Sequence, residues 1–199
     1  YKLMVTNEKT GQVLTGSTAL LPDITLSGVS GTWLPMSFGT NPSLIKWTSI
    51  PNGRIYQMII RFYYLEKTSS GSSEKYIDWV FATQTSTNTG IDLEYDYTGY
   101  GFLQFVKNTI PVVSGVSRRA DSLQVIFTTG SDDFNTYIQL SQPSLGIDQD
   151  KPSYSDVKNG IGIFTCRHTQ SVTKGLTPGT TDSLIYSATT AGLNFMLHP

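Results

Sequence analysis

Between residues 55 and 65 apolar side chains occupy both parities of an extended chain: Tyr56, Met58, Ile60, Phe62 and Tyr64 face one way, and Ile55, Ile59, Tyr63 and Leu65 the other. A strand apolar on both sides belongs in the middle of a sheet, so this segment is predicted to be central. A Ser/Gly stretch at 68–73 follows, and then Ile77, Trp79 and Phe81 share one face. Residues 75–82 are therefore predicted to pair antiparallel with 55–65. Residues 2–6 and 12–18, joined by a polar turn at 7–11 and ended by Pro22, read as a second hairpin that needs other strands to cover it.

The period changes near Gly101. Phe102, Phe105, Val106 and Ile110 fall at helical spacing and Pro111 stops the run, which predicts a short helix. A second short helix is predicted after Ser131, a cap-like residue followed by Asp132 and Asp133 in the first turn and by Phe134, Tyr137 and Ile138 on one face. Segments 122–129, 160–166, 183–187 and 192–198 read as further strands, with a turn-rich stretch at 173–181. Residues 27–54, rich in Gly, Pro, Ser and Thr, read as short strands joined by long loops. The expected fold is all-β, a mainly antiparallel, jelly-roll-like β-sandwich with two short α-helices. Residues 1–22 form a hairpin and 23–199 the main domain, and no internal repeat is visible.

Composition sharpens this picture. Of 199 residues, 12% are aromatic and 38% hydrophobic in all, enough to build a core without disulfides because large rings bury much surface each. Only 15% are charged, and Ser, Thr, Asn, Gln and Gly fill the solvated positions, a balance that suits exported β proteins. A net charge of −1, with Arg118-Arg119 the nearest approach to a basic cluster, argues against nucleic acid; an ion pair or a solvated edge explains that pair. The single cysteine, Cys166, cannot form an internal disulfide and suits burial as a small apolar residue. No run approaches the roughly 18 apolar residues of a membrane helix. The abrupt, strand-like start at Tyr1 suggests a segment of a longer precursor, with any export signal upstream.

Candidate chemistry is sparse. A hydrolytic nucleophile needs an oriented base, and only His168 and His198 offer imidazoles; neither sits in a motif, and no G-x-S-x-G elbow occurs. Cys166 and His168, two apart on one side of a predicted strand, are the most enzyme-like pair. Two histidines and one cysteine without paired spacing do not make a zinc site. Asp92, Glu94 and Asp96 alternate along one strand face and, with Asp132-Asp133 or Asp148 and Asp150, could offer oxygen ligands to calcium; the same alternation also makes a solvated edge. A carboxylate pair for glycoside hydrolysis is not visible as a motif. Phosphate-binding loops are absent, and no cofactor is implied. Trp33, Trp47, Tyr95, Tyr97 and Tyr100, set in polar surroundings, are the candidates for stacking on a sugar or filling a partner's pocket, against packing as lids on the core.

The stretch Pro-Ser-Tyr-Ser-Asp-Val-Lys-Asn-Gly-Ile-Gly-Ile-Phe-Thr-Cys-Arg over 152–167 resembles the signature near the end of an uncharacterised Bacteroidetes lipoprotein family, a domain of unknown function. The aromatic helix at 101–110, Arg118 and the helix at 133–138 come in that family's order, so the resemblance covers about residues 50–170. The opening hairpin is similar to the end of the immunoglobulin-like domain that precedes the family's main β domain. The resemblance implies an extracytoplasmic protein of the outer membrane or cell surface, held by a lipidated cysteine upstream of Tyr1. It carries no catalytic residues to this chain. Within its block, Gly160 and Gly162 are expected to serve backbone geometry, by positive φ or by close approach of a neighbouring strand. The expected function is a non-enzymatic binding module for glycan or envelope protein. The alternative is a structural component of an envelope complex, and a hydrolase stands third.

Overall fold

The computed structural model describes residues 1–141 and 154–197. Its chain is mostly β and mainly antiparallel, with open sheets. The strands are β1 (Lys2–Thr6), β2 (Val13–Ser17), β3 (Trp33–Leu34), β4 (Ser43–Thr48), β5 (Gly53–Thr68), β6 (Gly71–Val80), β7 (Gln84–Thr85), β8 (Asp92–Tyr97), β9 (Ser117–Ser131) and β10 (Arg167–Leu176). The helices are α1 (Gly99–Thr109), α2 (Asp132–Ser141) and α3 (Pro178–Tyr186), and a 3-10 turn spans Ala191–Leu193.

The large sheet runs β3-β10-β9-β5-β6, with β7 continuing the β6 side of β5. Only the short β10–β3 pairing is parallel. As the two-sided apolar pattern predicts, β5 is central, flanked by β9 and β6, and the turn between Thr68 and Gly71 closes the predicted hairpin. Its core face carries Tyr56, Met58, Ile60, Phe62 and Tyr64, joined by Leu123, Val125 and Phe127 of β9, all buried.

A second layer covers that face. The β4–β8 ribbon supplies Ile45, Trp47, Tyr95 and Tyr97, and Trp47 stands edge-on to Phe127 at 4.8 Å between ring centres. Beside the ribbon, α1 turns Phe102, Leu103 and Val106 inward, held at its start by Thr98, whose hydroxyl caps Gly101 N–H at 3.0 Å. Leu184 of α3, Leu193 and Phe195 complete the cover.

Arg118 is 1% exposed, and its guanidinium is fully employed: 3.0 Å to Glu66 on β5, 2.8 Å to the Leu193 carbonyl and 3.1 Å to the Pro111 carbonyl. One buried cation thus ties one end of the central strands to the end of α1 and to the C-terminal turn. Such a group is tolerated only because every face of it meets an acceptor.

The expectation of two helices is corrected to three. Residues 183–187, read as a strand, are the end of α3 and its C-cap Ser187, because Thr177 caps the Thr180 N–H at 3.2 Å and Pro178 occupies the first helical turn, a start signal hidden inside the turn-rich stretch. Residues 160–166 are not a strand either. Asn159 at φ 61° and Gly162 at φ 149° break extension, and the segment folds around Ser155, whose hydroxyl meets Gly160 and Gly162. A Cβ on Gly160 would lie 2.2 Å from Leu14 Cδ1, so glycine lets the opening hairpin approach. The hairpin is fastened there by Thr15–Lys158 backbone pairing and by Asn159 Nδ2 on the Val13 carbonyl at 2.9 Å. At the other end, 192–197 forms no strand beyond a single bridge from Phe195 to Arg118, since Asn194 turns left-handed. His198 lies outside the described residues.

A candidate binding face on the large sheet

The sheet's second face is built from the alternate residues of the same strands. Register places Ile55, Gln57, Ile59, Arg61 and Tyr63 of β5 beside Gly130, Thr128, Ile126, Gln124 and Ser122 of β9. β10 adds Arg167, Thr169, Ser171 and Thr173, and β6 adds Tyr76, Asp78 and Val80. These side chains are half-buried in the middle and exposed at the margins; Tyr76 is 55% exposed. The residue mix is neither a core nor a plain solvated edge. Apolar Ile59, Ile126 and Val80 alternate with amides, hydroxyls, a guanidinium and two tyrosines.

The side chains hold one another. Arg61 makes a two-pronged pair with Asp78 at 2.7 and 2.9 Å, and its guanidinium carbon lies 4.1 Å from the centre of the Tyr76 ring. Hydrogen bonding to the Asp78 carboxylate, and to Tyr63, pushes the Arg61 pKa up, so its charge is permanent. Tyr63 lies 5.8 Å from Tyr76, ring to ring, and donates from its hydroxyl to Gln124 Oε1 at 3.2 Å; Gln124 Nε2 in turn donates to Ser171 Oγ at 3.2 Å. Thr128 and Thr169 share a 3.0 Å hydroxyl contact. This lattice spans four strands and fixes rotamers that would otherwise have to be ordered when a ligand arrives.

At one end of the face α2 rises from β9 and lays Phe134 against Ile55 and Gly130. Its start is fixed by Asp132, 3.2 Å from Arg54, and by Asp133, which accepts a short hydrogen bond from the Tyr154 hydroxyl. That bond is the main reason the Tyr154 pKa is pushed up to about 12.

The residues singled out from sequence are scattered. Of the binding candidates, Trp47, Tyr95 and Tyr97 belong to the core: they lie 3%, 5% and 3% exposed, on the inward parity of β4 and β8. Tyr95 donates to the Tyr56 and Ala82 carbonyls at 3.0 and 2.8 Å, and burial pushes its pKa up to about 12. Trp33 and Tyr100 are exposed, Trp33 against Gly175 at the β3 edge and Tyr100 edge-on to Phe38, with no contact joining them. Asp92, Glu94 and Asp96 do share the exposed face of β8, where Asp92 accepts from Thr48 at 2.9 Å and Glu94 pairs with Lys46 at 3.2 Å. Among the described residues no cluster of three or more potential ligands stands close enough to hold a metal ion. Asp148 and Asp150 lie outside the described residues. His168 turns its Nε2 to Asp23 at 2.7 Å, while the Cys166 carbonyl accepts from Ser131 N–H at 3.0 Å.

Sequence reasoning missed the face itself. Its signal was present in Tyr63 and Ile59, assigned to the second side of β5, but the residues that complete it come from three other strands, β6 close by in sequence and β9 and β10 more than 60 positions on. No family model, curated protein or solved structure matches the chain. Among the described residues no helix is long and apolar enough to cross a membrane.

Proposed function

We propose that this chain is a non-enzymatic binding module of an extracytoplasmic envelope or cell-surface lipoprotein, that it is a β-sandwich-like domain, and that it binds glycan on the uncovered face of its large sheet. The observation that carries the reading is the pre-ordered lattice of Arg61, Asp78, Tyr63, Tyr76, Gln124 and Ser171 on a face that the described residues leave open to solvent. Sugars present hydroxyls in-plane and apolar C–H faces above and below. A surface that alternates amides and hydroxyls with tyrosine rings and isoleucines matches both, and its order lowers the entropic cost of binding. A membrane-anchored, glycan-rich setting is part of the same proposal.

Affinity electrophoresis against a panel of neutral and acidic polysaccharides tests it. Wild-type protein is retarded by at least one of them, and the Tyr63→Ala/Tyr76→Ala variant is not. A panel that retards neither protein sinks the glycan reading.

One observation favours a second reading, a structural part of an envelope complex. The opening hairpin leaves Tyr1 at 75%, Met4 at 74% and Val5 at 50% exposure, apolar surface that a protein partner would cover. Chemical cross-linking of the full-length lipoprotein in cells that yields only monomer counts against it.

A further inference from the structure

We propose that the hollow at the foot of α2 is a carboxylate-binding subsite with Arg167 as its cation, so that the glycan taken by this face is an acidic one. The inference rests on the reading of the face as a glycan-binding surface and specifies its ligand class.

Register puts Ile55, Gly130 and Arg167 side by side on β5, β9 and β10 at the end of the face. Over them α2 closes a hollow of about 260 Å³ whose floor and wall are Ile55, Phe134 and Ile138, with Gln57, Thr128 and Arg167 around it. Gly130 makes the closure possible, since a Cβ there would stand 2.4 Å from the Phe134 ring and 2.6 Å from Ile55.

Among the described residues, the other charged groups near the hollow have partners. Arg54 pairs with Asp132, Arg61 with Asp78, and Asp133 accepts from Tyr154. Among the described residues Arg167 has no ion pair, and it is exposed. The sheet's other exposed arginine, Arg119, stands in the row of Leu65 at the far end of β5, away from the hollow.

A planar guanidinium presents two parallel N–H groups that match a carboxylate. Beside it, the apolar wall of Phe134 and Ile138 lowers the local dielectric and strengthens that attraction, and offers a surface for the C–H face of the sugar ring. Gln57 and Thr128 lie where ring hydroxyls would be met. A neutral sugar would leave the arginine unused.

The test compares binding of polygalacturonate, heparin and neutral dextran by wild type, Arg167→Gln and Lys107→Gln. Lys107 is an exposed cation in the last turn of α1, on the opposite side of the sheet. Wild type is expected to prefer polygalacturonate. Arg167→Gln is expected to weaken that binding at least tenfold and flatten its salt dependence while melting like wild type, and Lys107→Gln to change neither. Preference for heparin overturns the carboxylate assignment in favour of sulfate. Binding of dextran that is lost on Tyr63→Ala/Tyr76→Ala but unchanged by Arg167→Gln overturns the subsite and leaves the face standing; no binding to any of the three overturns the acidic-glycan assignment.

Discussion

The two faces of the large sheet share strands, register and twist, and differ in what the alternate side chains are given to do. On the inner face Met58, Ile60, Phe62, Val125 and Phe127 meet a second layer, and their order comes from being packed. On the outer face Gln57, Ile59, Arg61, Gln124 and Ile126 meet solvent, and their order comes from hydrogen bonds and one ion pair made among themselves. The first arrangement contributes most of the stability. The second contributes little, because exposed polar contacts exchange with water, and so its residues are kept in place for something other than holding the fold.

The sharpest way to break this comparison is to truncate neighbouring residues of β9 on opposite faces. Phe127→Ala, which empties a site packed by Trp47 and Tyr56, is expected to cost about 3–5 kcal/mol in chemical denaturation. Ile126→Ala, one residue away on the open face, should cost about 1 kcal/mol. Similar losses for the two would mean that something covers the outer face. Arg118→Met comes next, at about 3 kcal/mol, because it strands Glu66 beside a lost partner and frees the C-terminal turn. The matching change on the open face, Arg61→Ala, should cost about 1 kcal/mol or less, since that pair is partly exposed, while abolishing ligand binding.

Alkali probes the buried tyrosines of the core. Burial raises Tyr95 from 10.0 to about 12, so the folded state holds the phenol proton more tightly than the unfolded state does. Tyr97 is raised further by the same cause. A raised folded pKa gives stability that is fully present below pH 10 and is lost as pH rises through about 12. Denaturation midpoints should therefore hold steady up to about pH 10 and fall beyond it, with Tyr95→Phe reducing the fall. A midpoint that falls equally in the variant would place the titration elsewhere. A local effect is expected at Gly160→Ala, about 1 kcal/mol, because only the flexible end of Leu14 has to move. Its signature is faster limited proteolysis of the opening hairpin with the main melting transition unmoved.

Much of the inner face was legible in sequence. The alternation over 55–65 identified the central strand and its core residues, and the 75–82 partner followed from the turn between them. Gly160 and Gly162 took the two roles expected of them, one for close approach and one for positive φ. What misled was burial inferred from local composition. Trp47 looked like a loop residue because Gly, Pro and Ser surround it, and Tyr95 like a binding candidate because acids flank it, yet a ribbon strand shows its polar half to water and its aromatic half to the core. The outer face was invisible for a different reason. It is a property of register, made when Arg61 meets Asp78 across β5–β6 and Tyr63 meets Gln124 across β5–β9, and no spacing within one segment encodes it. The α3 start was lost in turn-forming residues, where Thr177-Pro178 serves a helix as readily as a loop.

The most direct test of the central claim is amide and side-chain NMR of the folded chain titrated with oligogalacturonate, and with a neutral oligosaccharide in parallel. The account predicts shifts confined to Gln57, Ile59, Arg61, Tyr63, Tyr76, Gln124, Thr128 and Arg167, with Trp33, Tyr100 and the 1–18 hairpin unchanged. Shifts that cluster at Trp33 or Tyr100, or no shifts with either sugar, would contradict it.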